Sequence, residues 1–200
     1  MENYITTKHT YEANSHLFIE RWKDTNLLNS DKIETFIKML PQNAKILDIG
    51  AGFGKDVSYF CDRGFDCIGI DFCEAFIEQS KEMYANVKVL KMNFLEMDFP
   101  ENSFDALWSR GALFHITKED FAAVVCKLYS ILKPGGVFYI QLISGEHDGL
   151  LHSVGNVAGK AHYAYYLEEE IKAIMGKNGF AYIDKYPEDG WINHYYRLDK

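Results

Sequence analysis

An open, doubly wound α/β sheet is the architecture the sequence predicts, on three observations. From Ala44 onward, short β-rich runs alternate with helical patterns: "KILDIG", "KDVSYFCDRG", "DCIGID", "EAFIEQSKEMYA" and "VKVLKM", which is βαβαβ. The strand-like runs are continuously apolar, as parallel strands covered on both faces must be, and right-handed helical crossovers then place helices on both sides of the sheet. Near the end, Asp189-Gly190 stands between two aromatic, β-branched runs, a strong hairpin signal, so the sheet ends antiparallel.

Each element has its own local reason. Two helical patterns come first, "YEANSHLFIERWKD" (11–24) and "SDKIETFIKML" (30–40), the second closed by Pro41, whose ring cannot continue a helix. After the βαβαβ unit, "FDALWS" and "GVFYIQLI" read as strands on either side of a helix from Thr117 to Lys133. That helix opens with "TKED", a capping hydroxyl three residues before an acid, and "KPGG" stops it. The pattern then lapses over 144–166, read as a Gly- and His-bearing substrate loop, before "LEEEIKAIMGKNG" forms a helix closed by a glycine. The expected organisation is one domain: an N-terminal helical lid (1–40), a cofactor-binding core (44–143), the loop (144–166), and a C-terminal helix and hairpin (167–200).

Composition removes several classes of function. The 200 residues, 48% hydrophobic and 15% aromatic, suit a single core. A net charge of -8, with no run of four Lys/Arg, would repel a polyphosphate backbone, so nucleic acid is not expected as a partner. No apolar run approaches the roughly 18 residues of a membrane span, and "MENYITTKHTYEANSH" has no signal-peptide core, so a soluble, cytoplasmic protein with no membrane partner is expected. Cys61, Cys67, Cys73 and Cys126 form no CxxC pair and read as reduced core thiols. Nothing in the pattern specifies an oligomeric state.

The stretch "KILDIGAGFGKDV" packs Gly50, Gly52 and Gly54 directly behind Asp48. Dinucleotide sites space their glycines GxGxxG, and their pyrophosphate would here meet the Asp48 carboxylate, which disfavours a nicotinamide-dependent oxidoreductase. A cationic ligand suits the charge better. S-adenosylmethionine carries an ammonium and a sulfonium, and its carboxylate is expected to take the backbone N–H groups of the turn. Asp71 ends the next strand about twenty residues on, where an acid accepts from ribose hydroxyls; an ordinary helix N-cap is the alternative. Asn93 in "KMNF" offers its amide to an adenine amine, while Phe72 and Phe94 either sandwich the ring or belong to the core.

With these residues in view, the chain resembles the class I S-adenosylmethionine-dependent methyltransferases of the small, single-domain kind that act on small molecules. The resemblance runs from Ile46 to Tyr182, through "ILDIGAGFGKD", "IGID", "NFLEMDFPENSFDALWSRGALFHI" and "LYSILKPGGVFYI", in that order. It implies a Rossmann-like, seven-stranded sheet of order 3-2-1-4-5-7-6 with strand 7 antiparallel, helices on both faces and extra N-terminal helices. It also implies S-adenosylmethionine as cofactor and a small-molecule methyl acceptor. By position, Asp48, Gly50, Ala51, Gly52 and Gly54 would hold the methionine moiety, Asp71 the ribose, and Asn93, where the family usually has aspartate, the adenine. Ser109 and Arg110 would line the transfer pocket. "SRGA" stands where enzymes acting on exocyclic amines carry Asn/Asp-Pro-Pro-Tyr, and no Pro-Cys pair is present, so O, N, S and C acceptors all remain open. An idle cofactor-binding module is the alternative reading.

Methyl transfer from an activated sulfonium asks little of the protein beyond orienting the acceptor and removing its proton. His115, shortly after the fourth strand, is read as a general base or as structural support. His147, His152 and His162 are too irregularly spaced for a metal site, and no metal is expected. Tyr163, with Tyr165 and Tyr166, is pocket wall or core. The N-terminal segment, which folds over the pocket in relatives, contributes Tyr11, Arg21 and Trp22. Arg21 either pairs with a carboxylate or is solvated. His147, His162 and Tyr163 complete the candidate acceptor pocket.

Overall fold

The computed structural model describes residues 2–23, 31–153 and 157–200. β1 (Lys45–Ile49), β2 (Asp66–Asp71), β3 (Val89–Lys91), β4 (Phe104–Arg110) and β5 (Leu132–Ser144) lie parallel in the order β3-β2-β1-β4-β5. β9 (Trp191–Leu198) runs antiparallel to β5, from Val137 opposite Arg197 to Ile143 opposite Trp191, and β8 (Phe180–Lys185) pairs antiparallel with β9. That is the expected order, with β8 and β9 as its sixth and seventh strands. The hairpin between them turns at Asp189-Gly190: Trp191 N–H donates to the Glu188 carbonyl at 3.1 Å, and Gly190 has φ +77°.

Side-chain alternation along the strands divides the core in two. Ile46, Ala106, Trp108, Tyr139 and Tyr195 face Ile33 and Phe36 of α3 (Asp31–Ile37) and Val57 and Phe60 of α4 (Lys55–Asp62). Leu47, Leu107, Phe138, Ile140 and Tyr196 face the opposite layer. There they meet Phe76 of α5 (Glu74–Met83), Phe121 and Leu128 of α6 (Lys118–Ile131), and Ile171 and Met175 of α7 (Glu168–Lys177). Trp108 stacks on its cross-strand neighbour Tyr139 at 3.9 Å between centroids. The predicted cap on α6 forms, with Asp120 N–H donating to Thr117 Oγ1 at 3.0 Å.

Two expectations are corrected. The first helical pattern is two helices, α1 (Glu2–Ala13) and α2 (Ser15–Lys23). α1 has no apolar stripe to announce it, and tertiary contacts hold it instead: Thr10 Oγ1 donates to Lys160 O at 2.6 Å, Thr7 Oγ1 accepts from His162 N–H at 2.8 Å, and Asn14 Nδ2 donates to Ala158 O at 2.9 Å. Nor is 144–166 a substrate loop. β6 (His147–His152) and β7 (Lys160–Tyr166) pair antiparallel, and Tyr165 and Tyr166 of β7 pair parallel with Ile143 and Ser144 of β5. Since β9 already occupies one edge of Ile143, β7 takes the other edge, beyond the end of β4 at Arg110. The sheet so gains two strands over the seven expected, and α1 packs upon β7. "KAHYAYY" is β-rich in composition, but Gly145 and Gly149 masked the pattern.

Asp24 and Ser30, the expected end of one helix and start of the next, and 154–156 of the late segment lie outside the described residues. All four cysteines are free thiols, with Cys126 exposed on α6 rather than in the core. Among the described residues no helix is long and apolar enough to cross a membrane, and no group of three His, Cys, Asp or Glu could hold a metal ion.

Candidate active site

A cavity of about 720 Å³ opens at the carboxyl ends of β1, β2, β4 and β5 and is covered by α1 and α2. This is where an open α/β sheet places its ligands, because the loops diverge there from the reversal in strand order.

Its first half is built on the glycine turn. Gly50 has φ +76°, and a Cβ there would lie 2.2 Å from Ala112 Cβ, so only glycine fits the approach of β1 to the loop after β4. The N–H groups of Gly50 and Ala51 both donate to Ile70 O, at 2.9 and 3.0 Å, Gly52 N–H donates to Asp71 Oδ2 at 2.9 Å, and Gly54 N–H to Ala51 O at 2.9 Å. These four donors are spent on the protein itself. Burial lifts the Asp71 carboxyl to about 6, opposed by N–H donors from Cys73 and Gly52. Asp48 is raised as well, first by burial and then by the neighbouring Asp56 carboxylate, with Arg110 opposing. Asp56 is fixed by Trp108 Nε1–H at 2.8 Å and Arg110 Nη2 at 2.7 Å.

The second half centres on a buried hydrogen-bonded chain. His115 Nδ1 lies 2.8 Å from the His162 carbonyl, which can only accept, so Nδ1 carries the proton and Nε2 receives the Tyr11 hydroxyl at 2.8 Å. Burial, with the nearby His162 adding to it and the carbonyl opposing, lowers His115 to about 4, and burial raises Tyr11 far above its usual range. Both are neutral near pH 7. Phe114, Tyr163 and Trp191 line the same wall, and Gln141, Glu188 and Lys32 its polar end.

A family model described as a methyltransferase domain matches residues 47–140, the span holding both strand-end carboxylates, the glycine turn and His115. Just under half of the chain is thus similar to the methyltransferase-domain family. The chain is 33% identical over 124 residues to a phosphoethanolamine N-methyltransferase of Plasmodium falciparum, covering 58% of this chain and 47% of that protein. To a sterol 24-C-methyltransferase of Debaryomyces hansenii it is 33% identical over 117 residues, covering 54% and 30%. The chain thus matches less than half the length of either relative. Among solved structures, the 1,6-didemethyltoxoflavin-N1-methyltransferase of Burkholderia thailandensis, with bound S-adenosylhomocysteine and 1,6-didemethyltoxoflavin, superposes at a TM-score of 0.77. That match has 19% identity over 100% of this chain and 90% of its own. A TehB-like S-adenosylmethionine-dependent methyltransferase of Corynebacterium glutamicum gives 0.73 at 16% identity, over 94% and 99%. At these identities the likeness is one of fold.

The fold brings most of the predicted residues to one cavity: Asp48, Gly50, Ala51, Gly52, Asp71, Phe72, Phe94 and Arg110 at the strand ends, with His115, Tyr163, Tyr11, Arg21 and Trp22 around them. Five others do not line it. Gly54 packs its helix start against Val87 and Val89, where a Cβ would lie 2.6 Å from Val87 Cγ1. Asn93 Oδ1 accepts Leu95 N–H at 2.9 Å and caps a short 3-10 turn. Ser109 is buried in β4 and donates to Ile49 O at 3.3 Å, since the strand runs one residue further to Arg110. His147 borders a separate shallow depression with Lys118 and Glu170. The His162 ring is buried beside Asp148 at 2.8 Å, and only its main chain serves the site. Of the turn's N–H groups expected to receive a carboxylate, those of Gly50, Ala51, Gly52 and Gly54 are bonded within the protein.

Residues missed in the sequence are Asp56, Lys55, Lys32, Gln141, Glu188 and the ring of Trp191. Gln141 left a signal, being the lone polar residue in "VFYIQLI". For Glu188 and Lys32 no local signal exists, because each is defined by a partner 156 positions away.

Proposed function

We propose that this chain binds S-adenosylmethionine across the ends of β1, β2 and β3 and methylates a small organic acceptor held across the ends of β4, β5 and β9. One observation carries the reading: a single cavity joins the Asp48 and Asp71 carboxylates to the Tyr11–His115 pair. The donor set fits the cofactor. Asp71 Oδ2 accepts Gly52 N–H and Oδ1 accepts Cys73 N–H, with Phe72 N–H also directed at the carboxylate; its remaining lone pair suits a ribose hydroxyl, and Phe72 and Phe94 offer apolar surface to adenine. Asp48 and Asp56 face the cationic groups. The Arg110 guanidinium, on the cavity lining beside the turn, meets the carboxylate.

Bound there, S-adenosylmethionine supplies a methyl group already activated by a sulfonium. The protein's own work is orientation and exclusion of water, for which α1 and α2 cover the cavity and Tyr11 is fixed on His115. A cavity of about 720 Å³ lies within the roughly 300–1,000 Å³ that suits one drug-sized ligand, so the acceptor beside the cofactor is small.

Calorimetry with S-adenosylmethionine, S-adenosylhomocysteine and NAD tests the reading, followed by a metabolite screen read by S-adenosylhomocysteine release. The two adenosyl ligands should bind and NAD should not. Comparable NAD binding would overturn the charge argument at Asp48. Cofactor binding without turnover on any acceptor would leave an idle binding module.

A further inference from the structure

Resting on the methyltransferase reading, we infer that the acceptor is a small, uncharged organic amine whose N–H groups are received by Glu188 and Gln141 against the wall of Phe114, Tyr163 and Trp191, with Glu188 setting acceptor class. Glu188 Oε2 takes three donors: Lys32 Nζ at 2.5 Å, Asn193 Nδ2 at 3.0 Å and Gln141 Nε2 at 3.3 Å. Because a carboxylate only accepts, it turns both amides donor-first toward itself. Tyr139 O–H, donating to Asn193 Oδ1 at 2.7 Å, completes the arrangement. Gln141 also donates to Asn193 Oδ1 at 3.0 Å, so its own carbonyl oxygen is turned toward Gly111 at the end of β4. Beside the Lys32 ammonium, the network presents two acceptor atoms to a ligand at this end, Glu188 Oε1 and Gln141 Oε1. An N–H donor fits them.

Lys32 offsets most of the Glu188 charge, so the subsite holds a neutral amine in preference to an ammonium, and only the neutral amine has the lone pair that reacts. The proton inventory agrees. Neither neutral His115 nor buried Tyr11 is a strong base able to strip an alcohol, and an amine needs none. Its lone pair forms the new bond to the methyl carbon, the carbon–sulfur pair stays on sulfur, and the positive charge passes to nitrogen, whose proton then leaves to water. The rings favour that charge: Phe114 lies 5.8 Å from Tyr163 and 6.0 Å from Trp191, centroid to centroid, all on the cavity wall.

The test uses the full chain saturated with S-adenosylhomocysteine and measures binding of amine and alcohol pairs on one skeleton, aniline with phenol and 1-naphthylamine with 1-naphthol, whose amines are uncharged near pH 7. In at least one pair the amine should bind on the order of tenfold tighter, the modest end for a bond to a charged group because Glu188 is partly exposed. Glu188→Gln should reduce that preference below about threefold. Gln141→Leu, which leaves Glu188 its bonds to Lys32 and Asn193, should reduce it too and serves if the first variant melts early. Alcohols bound as tightly as amines, or a preference surviving in both folded variants, would overturn the inference. Failure to bind S-adenosylhomocysteine at all would instead strike the methyltransferase reading.

Discussion

Asp71→Asn exchanges one carboxylate oxygen for an amide nitrogen and leaves the packing volume almost unchanged. In the native protein burial lifts the Asp71 carboxyl to about 6. The group is then roughly nine-tenths ionised at pH 7 and about one-tenth ionised at pH 5. If the ribose hydroxyls donate to the ionised form, apparent affinity for S-adenosylhomocysteine falls about tenfold between pH 7.5 and pH 5, or about 1.4 kcal/mol. Asp48 is shifted in the same direction, so the Asp71 share is the difference between native protein and variant. Asp71→Asn should bind about 1.5–3 kcal/mol more weakly at pH 7.5 and show a shallower pH slope, both read by calorimetry.

The same shift acts on folding. A folded value of about 6 against an ordinary 3.8 means that the contribution is fully present below 3.8 and is lost as pH rises through 6. Without ligand, the native protein should gain about 1.3 kcal/mol over Asp71→Asn on going from pH 7 to pH 5. At this chain length that is about 3–5 °C in the difference between their melting temperatures. Identical pH slopes for the two proteins, in binding and in melting, would refute the assignment of both effects to Asp71.

Tyr11→Phe leaves the buried His115 Nε2 without its donor, and should cost about 1–3 kcal/mol in urea unfolding, with a fall in turnover but little change in cofactor affinity; unchanged stability and turnover would reduce the pair to simple packing. Gly50→Ala forces a left-handed backbone on alanine and a methyl group into Ala112, so unfolding experiments should show a loss of at least about 2 kcal/mol together with loss of cofactor binding, and a normal midpoint would contradict the packing described.

What was legible in the sequence depended on whether a residue's neighbours in space were also its neighbours in the chain. The doubly covered parallel sheet could be read because "KILDIG" and "DCIGID" are continuously apolar runs, as strands buried on both faces must be, whereas the strand order was implied by the family resemblance. Asp48 and Asp71 stood out as charges at the ends of those runs. Asn93 was legible in a different sense: an asparagine before "FLE" is a local cap, and its amide oxygen accepts the Leu95 N–H. α1 offered no pattern, since Thr7, Thr10 and Asn14 bond to a hairpin some 150 positions away. The Glu188 network shares that property, being assembled from α3, β5 and β9 with no spacing that foretells it.

The cover over the cavity illustrates how such long-range bonds change a functional argument. A segment expected to close over a complete core would attach through few contacts and leave that core intact when removed. Here Phe18 is fully buried, Tyr11 stacks on it at 4.5 Å, and both belong to the same apolar cluster as the β1 and β4 side chains. α1 is also bonded along β7, a strand that itself continues the sheet beyond β4. The α1 side is accordingly a fixed wall, and it sets Tyr11 on His115 before any ligand arrives. α2 is attached differently at its end, where Lys55 Nζ donates to the Trp22 and Lys23 carbonyls at 3.1 Å from the first turn after the glycines. Lys55 and the exposed Arg21 both border the cavity there, so the lysine that holds the end of the cover is also part of the cavity wall.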